Sequence, residues 1–392
     1  YTLDALTSAD NNVAIGYQAG SAITDGGNNV LIGYQSGDAI DSGTRNTAVG
    51  VSSLSTETGG DSNVAVGASA LVTSNGGNFN SAVGDQALAL LTTGDENTAV
   101  GYKAGYAATT ASQSVFIGDS VCLSGQNTAG QNVYIGYEVA KANTSGDGNT
   151  VLGARAFQAN TTGASNIAIG LDALDGCDAE NNNLAIGQDA LGGSVAGGEY
   201  NVMIGNYAGD AITSGDSNNG LGYQALSACA DGELNNAFGD RALTAVNSGD
   251  KNVGVGQQAG FGITSGSNNI CIGFDSGRSS SPSGNITTGS NNICLGDDNI
   301  ANFFCADTSI SSSDKRDKTD VTNFTAGLSF IEKMQPVTYK WDKRSWYSDD
   351  LSVTPDGSKK ATETNVGFLA QDVETLEKEI GFANDKNDML FV

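Results

Sequence analysis

Asn63-Val64-Ala65-Val66-Gly67 is followed seventeen residues later by Asn80-Ser81-Ala82-Val83-Gly84, and seventeen after that by Asn97-Thr98-Ala99-Val100-Gly101. Working outward from this stretch, the leading Asn returns at Asn12, Asn29, Asn46, Asn132, Asn149, Asn166, Asn183, Asn201, Asn218, Asn235, Asn252, Asn269 and Asn292, with Ser114 taking its place once. The Gly four residues on never varies, from Gly16 to Gly296. Two spacings of 18 and one of 23, the last containing Pro282, read as loops bulging from a coil. A fixed period of this length puts each unit at an equivalent place in a stacked array. The expectation is a parallel β-solenoid of 17-residue repeats, on the order of 80 Å long at about 4.8 Å per coil.

Within the unit, alternation in Val64-Ala65-Val66 places the first and third residues on one face, and the expectation is that this apolar pair points inward while the small residue faces out. A second apolar row follows, as in Leu88 and Leu91. The recurrent turn of Thr92-Thr93-Gly94-Asp95-Glu96-Asn97 supplies residues that tolerate positive φ or bond the backbone. Stacked Asn residues are expected to bond along the fibre axis as a ladder. So thin a core favours packing several chains together, and a homotrimer is expected.

Composition divides the 392 residues near residue 312. Residues 313–392 carry eleven of the 18 Lys and Arg and fifteen of the 44 Asp and Glu, a net charge of −4, which leaves −22 on the rest. Both Trp, Trp341 and Trp346, lie in the tail, and fifty of the 54 Gly lie before it. A polyanion of this kind excludes binding to nucleic acid or anionic lipid, which needs a positive surface. No run of 18 apolar residues occurs, so membrane insertion by a helix is excluded. With no His and six scattered Cys, neither a metal site nor a cofactor site nor a disulfide framework is expected. Cys271 and Cys294 share a coil position, as do Cys177 and Cys229, and all four read as packing residues.

Three features of the rod invite a functional reading. Gly-Asp-x-Asn turns at Asp61, Asp95, Asp147, Asp216 and Asp250 offer oxygens to calcium, but the dense Asp nonapeptide of calcium-binding β-rolls is missing. A Thr column (Thr24, Thr58, Thr92, Thr109, Thr144, Thr161, Thr213 and Thr264) suggests a flat ice-binding face, but it is broken in half the coils. Acids occur in nearly every turn, so no carboxylate pair stands out for glycan hydrolysis.

The period vanishes after Cys305. A polar link leads to Ser313-Asp314-Lys315-Arg316-Asp317-Lys318, and farther on stand Leu328, Ile331, Met334-Gln335-Pro336-Val337-Thr338-Tyr339-Lys340-Trp341 and Gly367-Phe368-Leu369-Ala370-Gln371-Asp372-Val373. These ordered stretches resemble the self-cleaving intramolecular chaperone domain at the C-terminus of bacteriophage tail spikes and fibres: its Ser-Asp-x-Arg-x-Lys start, its amphipathic helix and Pro-Val-x-Tyr strand, and its Gly-Phe-x-Ala-Gln element. The resemblance implies a small α+β domain over 313–392, while the period itself sets a lead-in at 1–11, the rod at 12–300 and a linker at 301–312. It implies Ser313 as nucleophile and Lys318 as general base, with the chain cut at or beside Ser312 and Ser313. A Lys does this only where its pKa is driven toward neutrality, and Asp317, where the family is apolar, favours the charged form. Catalysis would be a single-turnover autoproteolysis. Trp346 to Thr364, with the turn Pro355-Asp356-Gly357, reads as a projecting hairpin, which in the family guides three chains into register.

Together these readings describe a trimeric tail-fibre or appendage protein of a virion, assembled in the host cytoplasm and joined to other virion tail proteins. Its rod would meet a host cell-surface receptor or glycan. Two other classes fit parts of the sequence. A bacterial trimeric surface adhesin also uses an Asn-x-x-Ile-Gly pattern in its head repeats, and a polysaccharide depolymerase spike would share the rod.

Overall fold

The computed structural model describes residues 2–193, 195, 197–302, 330, 332–342, 347 and 354–379. The chain divides into two compact units, Tyr1–Phe304 and Cys305–Val392. In the first unit, seventeen three-residue strands, β1 (Val13–Ile15) to β17 (Ile293–Leu295), each follow the leading Asn or Ser of a coil. Each strand pairs in parallel with the strand one coil on, Val13 opposite Val30 and Thr98 opposite Val115, in one 17-stranded sheet. The register holds across the 23-residue spacing, where Cys271 lies opposite Cys294. The unit is therefore an all-β parallel solenoid with the expected period.

Counting the leading Asn as position 1, the ladder runs through side chains. Asn63 Nδ2 donates to Gly77 O in its own coil at 2.7 Å, and Asn63 Oδ1 accepts the backbone N–H of Asn80 in the next at 2.9 Å. One buried amide thus closes a coil and fastens it to its neighbour. The expected side chain to side chain bond is present as well in part of the rod, as from Asn97 Nδ2 to Asn80 Oδ1 at 3.0 Å. Ser114 keeps the link, receiving the N–H of Asn132 at 3.2 Å, but has no amide to close its own coil, and that coil is one of the two with 18 residues.

The faces of the strands correct the expectation from alternation. The central residue, position 3, is the inward one: Leu31, Ala48, Ala65, Phe116, Tyr134 and Met203 are fully buried. The flanking apolar residues at positions 2 and 4 point out, with Ile15 59% and Leu152 46% exposed. Alternation fixes which residues share a face but not which face is inside, and here the interior is too narrow for two large side chains from each strand.

Core volume is shared between positions 3 and 9. Leu31, Tyr134 and Met203 at position 3 stand with Gly37, Ala140 and Gly209 at position 9, whereas Ala48, Ala65, Ala168 and Ala237 stand with Leu54, Leu71, Leu174 and Leu243. Where a coil has small residues at both, a neighbour fills in: a Cβ on Gly254 would come 2.8 Å from Leu243. Leu88 and Leu91 form the expected second apolar row. Cys122, Cys177, Cys229, Cys271 and Cys294 are buried free thiols in this core, and burial pushes those of Cys122, Cys229 and Cys271 up to about 12.

The invariant Gly at position 5 answers two demands at once. From Gly16 to Gly256 its φ lies between +126° and +146°, outside the range of other residues. A Cβ on Gly101 would also stand 2.2 Å from the carbonyl oxygen of Gly118 in the next coil. Replacing Gly101 by Ala is expected to cost about 3 kcal/mol by forcing both strain and coil separation. Denaturant unfolding of Gly101→Ala beside the parent checks this, and equal midpoints would rule the close approach out.

Candidate functional sites

The polar columns of the rod are occupied by the fold itself. At position 16, Asp61 Oδ1 accepts the N–H and the hydroxyl of Thr44, both at 2.7 Å, Asp95 Oδ1 accepts from Asn78 N at 2.7 Å, and Asp216 Oδ1 accepts from Glu199 N at 2.7 Å. Asp147 and Asp250 serve Gly130 and Glu233 in the same way, at 2.6 and 3.0 Å. The Asp of each Gly-Asp-x-Asn turn thus holds a backbone donor of the preceding coil. The Thr column at position 13 points its hydroxyls along the stack: Thr92 donates to Thr109 O at 2.8 Å, Thr144 to Thr161 O at 2.8 Å and Thr58 to Asn75 Oδ1 at 2.7 Å. These hydroxyls bind the next coil, which is a structural reason for the column.

Sequence reasoning missed the interior carboxylates. Glu57 stands at position 12, which holds Ile in Ile23 and Ile40, yet it is fully buried. Its Oε1 accepts from Gly59 N at 3.1 Å and Gly76 N at 2.7 Å, and its Oε2 accepts the Ser74 hydroxyl at 2.8 Å. Glu180 is held likewise by the N–H groups of Asp178, Ala179 and Gly197 at 2.8 to 3.0 Å. Burial raises its pKa, but the donors outweigh this and leave the carboxyl below its ordinary value. Glu180 stands at a position that is Gly in most coils, which is a signal the sequence held, whereas Glu57 shares its position with Ser74, Asn143 and Asn160 and did not stand out.

A second group of carboxylates is poorly satisfied. Asp38, Asp175 and Asp210 all occupy position 10, and Oδ1 of each is out of reach of solvent with no hydrogen-bond partner in the described residues. Desolvation raises all three, and Asp175, with Asp172 and Asp189 nearby, is pushed to about 6. Asp172 itself is held by Arg155, Nε to Oδ1 at 2.8 Å and Nη2 to Oδ2 at 2.6 Å.

In the second unit, β18 (Val337–Tyr339) pairs antiparallel with β19 (Asn365–Gly367), Thr338 opposite Val366. The pairing extends to Ala361 N, which donates to Trp341 O at 2.8 Å. Tyr339 and Trp341 meet edge to face, ring centroids 5.2 Å apart. Gly357 takes φ +85° and Asp356 Oδ1 accepts Ser358 N at 2.9 Å, so the Pro-Asp-Gly stretch forms a turn. The Pro-Val-x-Tyr segment is a strand as the motif implied. The Ala-Gln element opens helix α1 (Ala370–Glu379), whose Val373 and Leu376 are buried. Lys333, Met334, Gln335, Phe368, Leu369 and Asp372 line a cleft beside that helix.

The strand at Val337–Tyr339 is the one element here that the motifs foretold, and a sequence match covers the same unit. Residues 313–382 match the family described as the chaperone of endosialidase. No curated protein matches the chain. The chaperone of endosialidase match begins at Ser313 itself, and a β-solenoid followed by such a domain fits a phage tail spike with a C-terminal chaperone domain. Ser312, Ser313, Asp317 and Lys318 lie outside the described residues, as do Leu328, Ile331 and Trp346.

The raised Asp175 gives a pH dependence with a definite sign. Its folded pKa exceeds its unfolded value, so the folded state holds the proton more tightly, and the stability this contributes at low pH is lost as pH rises from about 4 through about 6. Asp175→Asn is expected to raise the melting temperature at pH 7.5 and to change it little at pH 4. Thermal melts at the two pH values check this, and an equal change at both would reject it.

Proposed function

We propose that the chain is a subunit of a trimeric virion appendage, a tail spike or tail fibre, whose solenoid rod meets the host surface and whose C-terminal domain templates assembly and then cuts itself free. The observation that carries this reading is the meeting of two kinds of sequence in one chain: seventeen near-identical coils, and a chaperone of endosialidase match that starts where the repeats have ended. A stack of similar coils can pair one step out of register, and a domain that gathers three chains counters that error.

The chemistry proposed at the junction is acyl transfer. Ser313 Oγ attacks the carbonyl carbon of Ser312, Lys318 takes the hydroxyl proton and returns it to the departing amine, and water then hydrolyses the ester. One cut per chain results, and the rod keeps its coils. Asp317 favours the charged form of Lys318, so cleavage requires that burial in the assembled domain outweigh it.

Expression of the full chain followed by denaturing electrophoresis and intact-mass measurement tests the cut. The parent is expected to release residues 313–392, while Ser313→Ala and Lys318→Ala remain at full length. A parent that stays whole overturns self-cleavage. Native mass measurement is expected to show three chains, and a monomer overturns the assembly.

A further inference from the structure

The outward side of the 17-stranded sheet is uncharged along its whole length and mostly apolar. Position 4 is Ile, Val, Leu or Phe in all seventeen coils, and position 2 is Val, Ile, Leu, Thr, Ser or Asn, so neither row carries a charge. Among the described residues these side chains remain partly exposed: Val83 is 40% exposed, Val100 42%, Leu221 47% and Phe238 43%. The exposed apolar area of the two rows is on the order of 1,500 Å², several times the largest patch usual on a monomer and of the size of a specific interface.

We propose that this sheet face is the surface through which copies of this chain pack against one another, parallel and in register. The proposal rests on the trimer reading above and names the surface that it needs. The occupant follows from charge. With −22 on residues 1–312, two such bodies repel wherever their acidic turns meet, and the two uncharged rows are where they can approach without burying an unpaired carboxylate. A strongly basic partner would find no acid on this face, and the acidic turns that flank it repel anionic lipid.

Register follows from one irregularity. Position 2 holds an amide in two coils only, Asn219 and Asn236, where Asn219 Nδ2 donates to Asn236 Oδ1 at 2.9 Å. In-register copies bring these amides to one height, where they can bond across the interface. A slip of one coil sets one of them against Val202 or Val253, at a cost of about 1–3 kcal/mol for each amide stranded among apolar neighbours. A buried Asn fixes the register of coiled coils in the same way.

The full chain with a spin label on Val83→Cys, compared with the same label on Thr93→Cys in a turn, tests the surface. Native mass is measured first. Three chains with one short inter-chain distance, below about 20 Å, at position 83 and a longer one at position 93 are the expected result, since the label on a packed face lies near its copies. Three chains with the shorter distance at position 93 place the interface elsewhere and leave the trimer reading standing. Several distances at position 83, spaced by about one coil rise, overturn packing in register. A single chain overturns this proposal and the trimer reading together. Since a label at position 83 could itself loosen packing, the native masses of Val83→Lys/Val100→Lys and Thr93→Lys/Thr110→Lys are compared too. Only the first pair is expected to dissociate, and three chains from both pairs reject the sheet face.

Discussion

The solenoid depends on the buried Asn amide at the start of each coil. Its Nδ2 closes a turn fourteen residues away and its Oδ1 receives the backbone of the next coil, as Asn63 does with Gly77 and Asn80. A backbone N–H or C=O left unmet at that corner would cost as much as the hydrogen bond gains. The amide has the donor and the acceptor that the corner needs. Ser114 shows what half the equipment does: the link to the next coil survives, and the coil that it heads is longer by one residue.

The other columns extend the same economy. Asp or Asn at position 16 and Thr at position 13 each meet a donor or acceptor one coil away, and the Gly at position 5 lets backbones approach closer than any side chain allows. Stacking is thus driven by backbone and polar contacts at the corners, while a narrow core of about three side chains per coil fills the middle. Where a carboxylate enters that core it is met by several N–H groups, as with Glu57 and Glu180.

Much of this was legible in the sequence because periodicity is a strong signal. The coil length, the strand positions, the Asn ladder, the second apolar row and the packing role of the Cys residues follow from spacing alone. The orientation of Val64 and Val66 did not, since apolar side chains read as interior when only one chain is considered, and the interior here takes Ala65. Buried Glu57 and the shielded Oδ1 of Asp175 were lost among 44 acids because what covers them depends on which coil lies above. In the tail, the Pro-Val-x-Tyr motif placed β18 correctly, β19 and α1 came from the structure alone, and Ser313 and Lys318 stand on the resemblance and the family match.

The sharing of volume between positions 3 and 9 bears on how such a rod can change length over evolutionary time. Every corner bond joins equivalent atoms, so duplicating or deleting seventeen codons keeps the hydrogen bonds intact. The core is less forgiving. Coils of the Ala48–Leu54 kind fit beside one another and can be copied freely, whereas Met203 needs neighbours such as Gly209 and Gly220 that leave room for it. Growth and loss are therefore expected to concentrate in the Ala-and-Leu stretches, with the coils that carry large side chains persisting as fixed points between them.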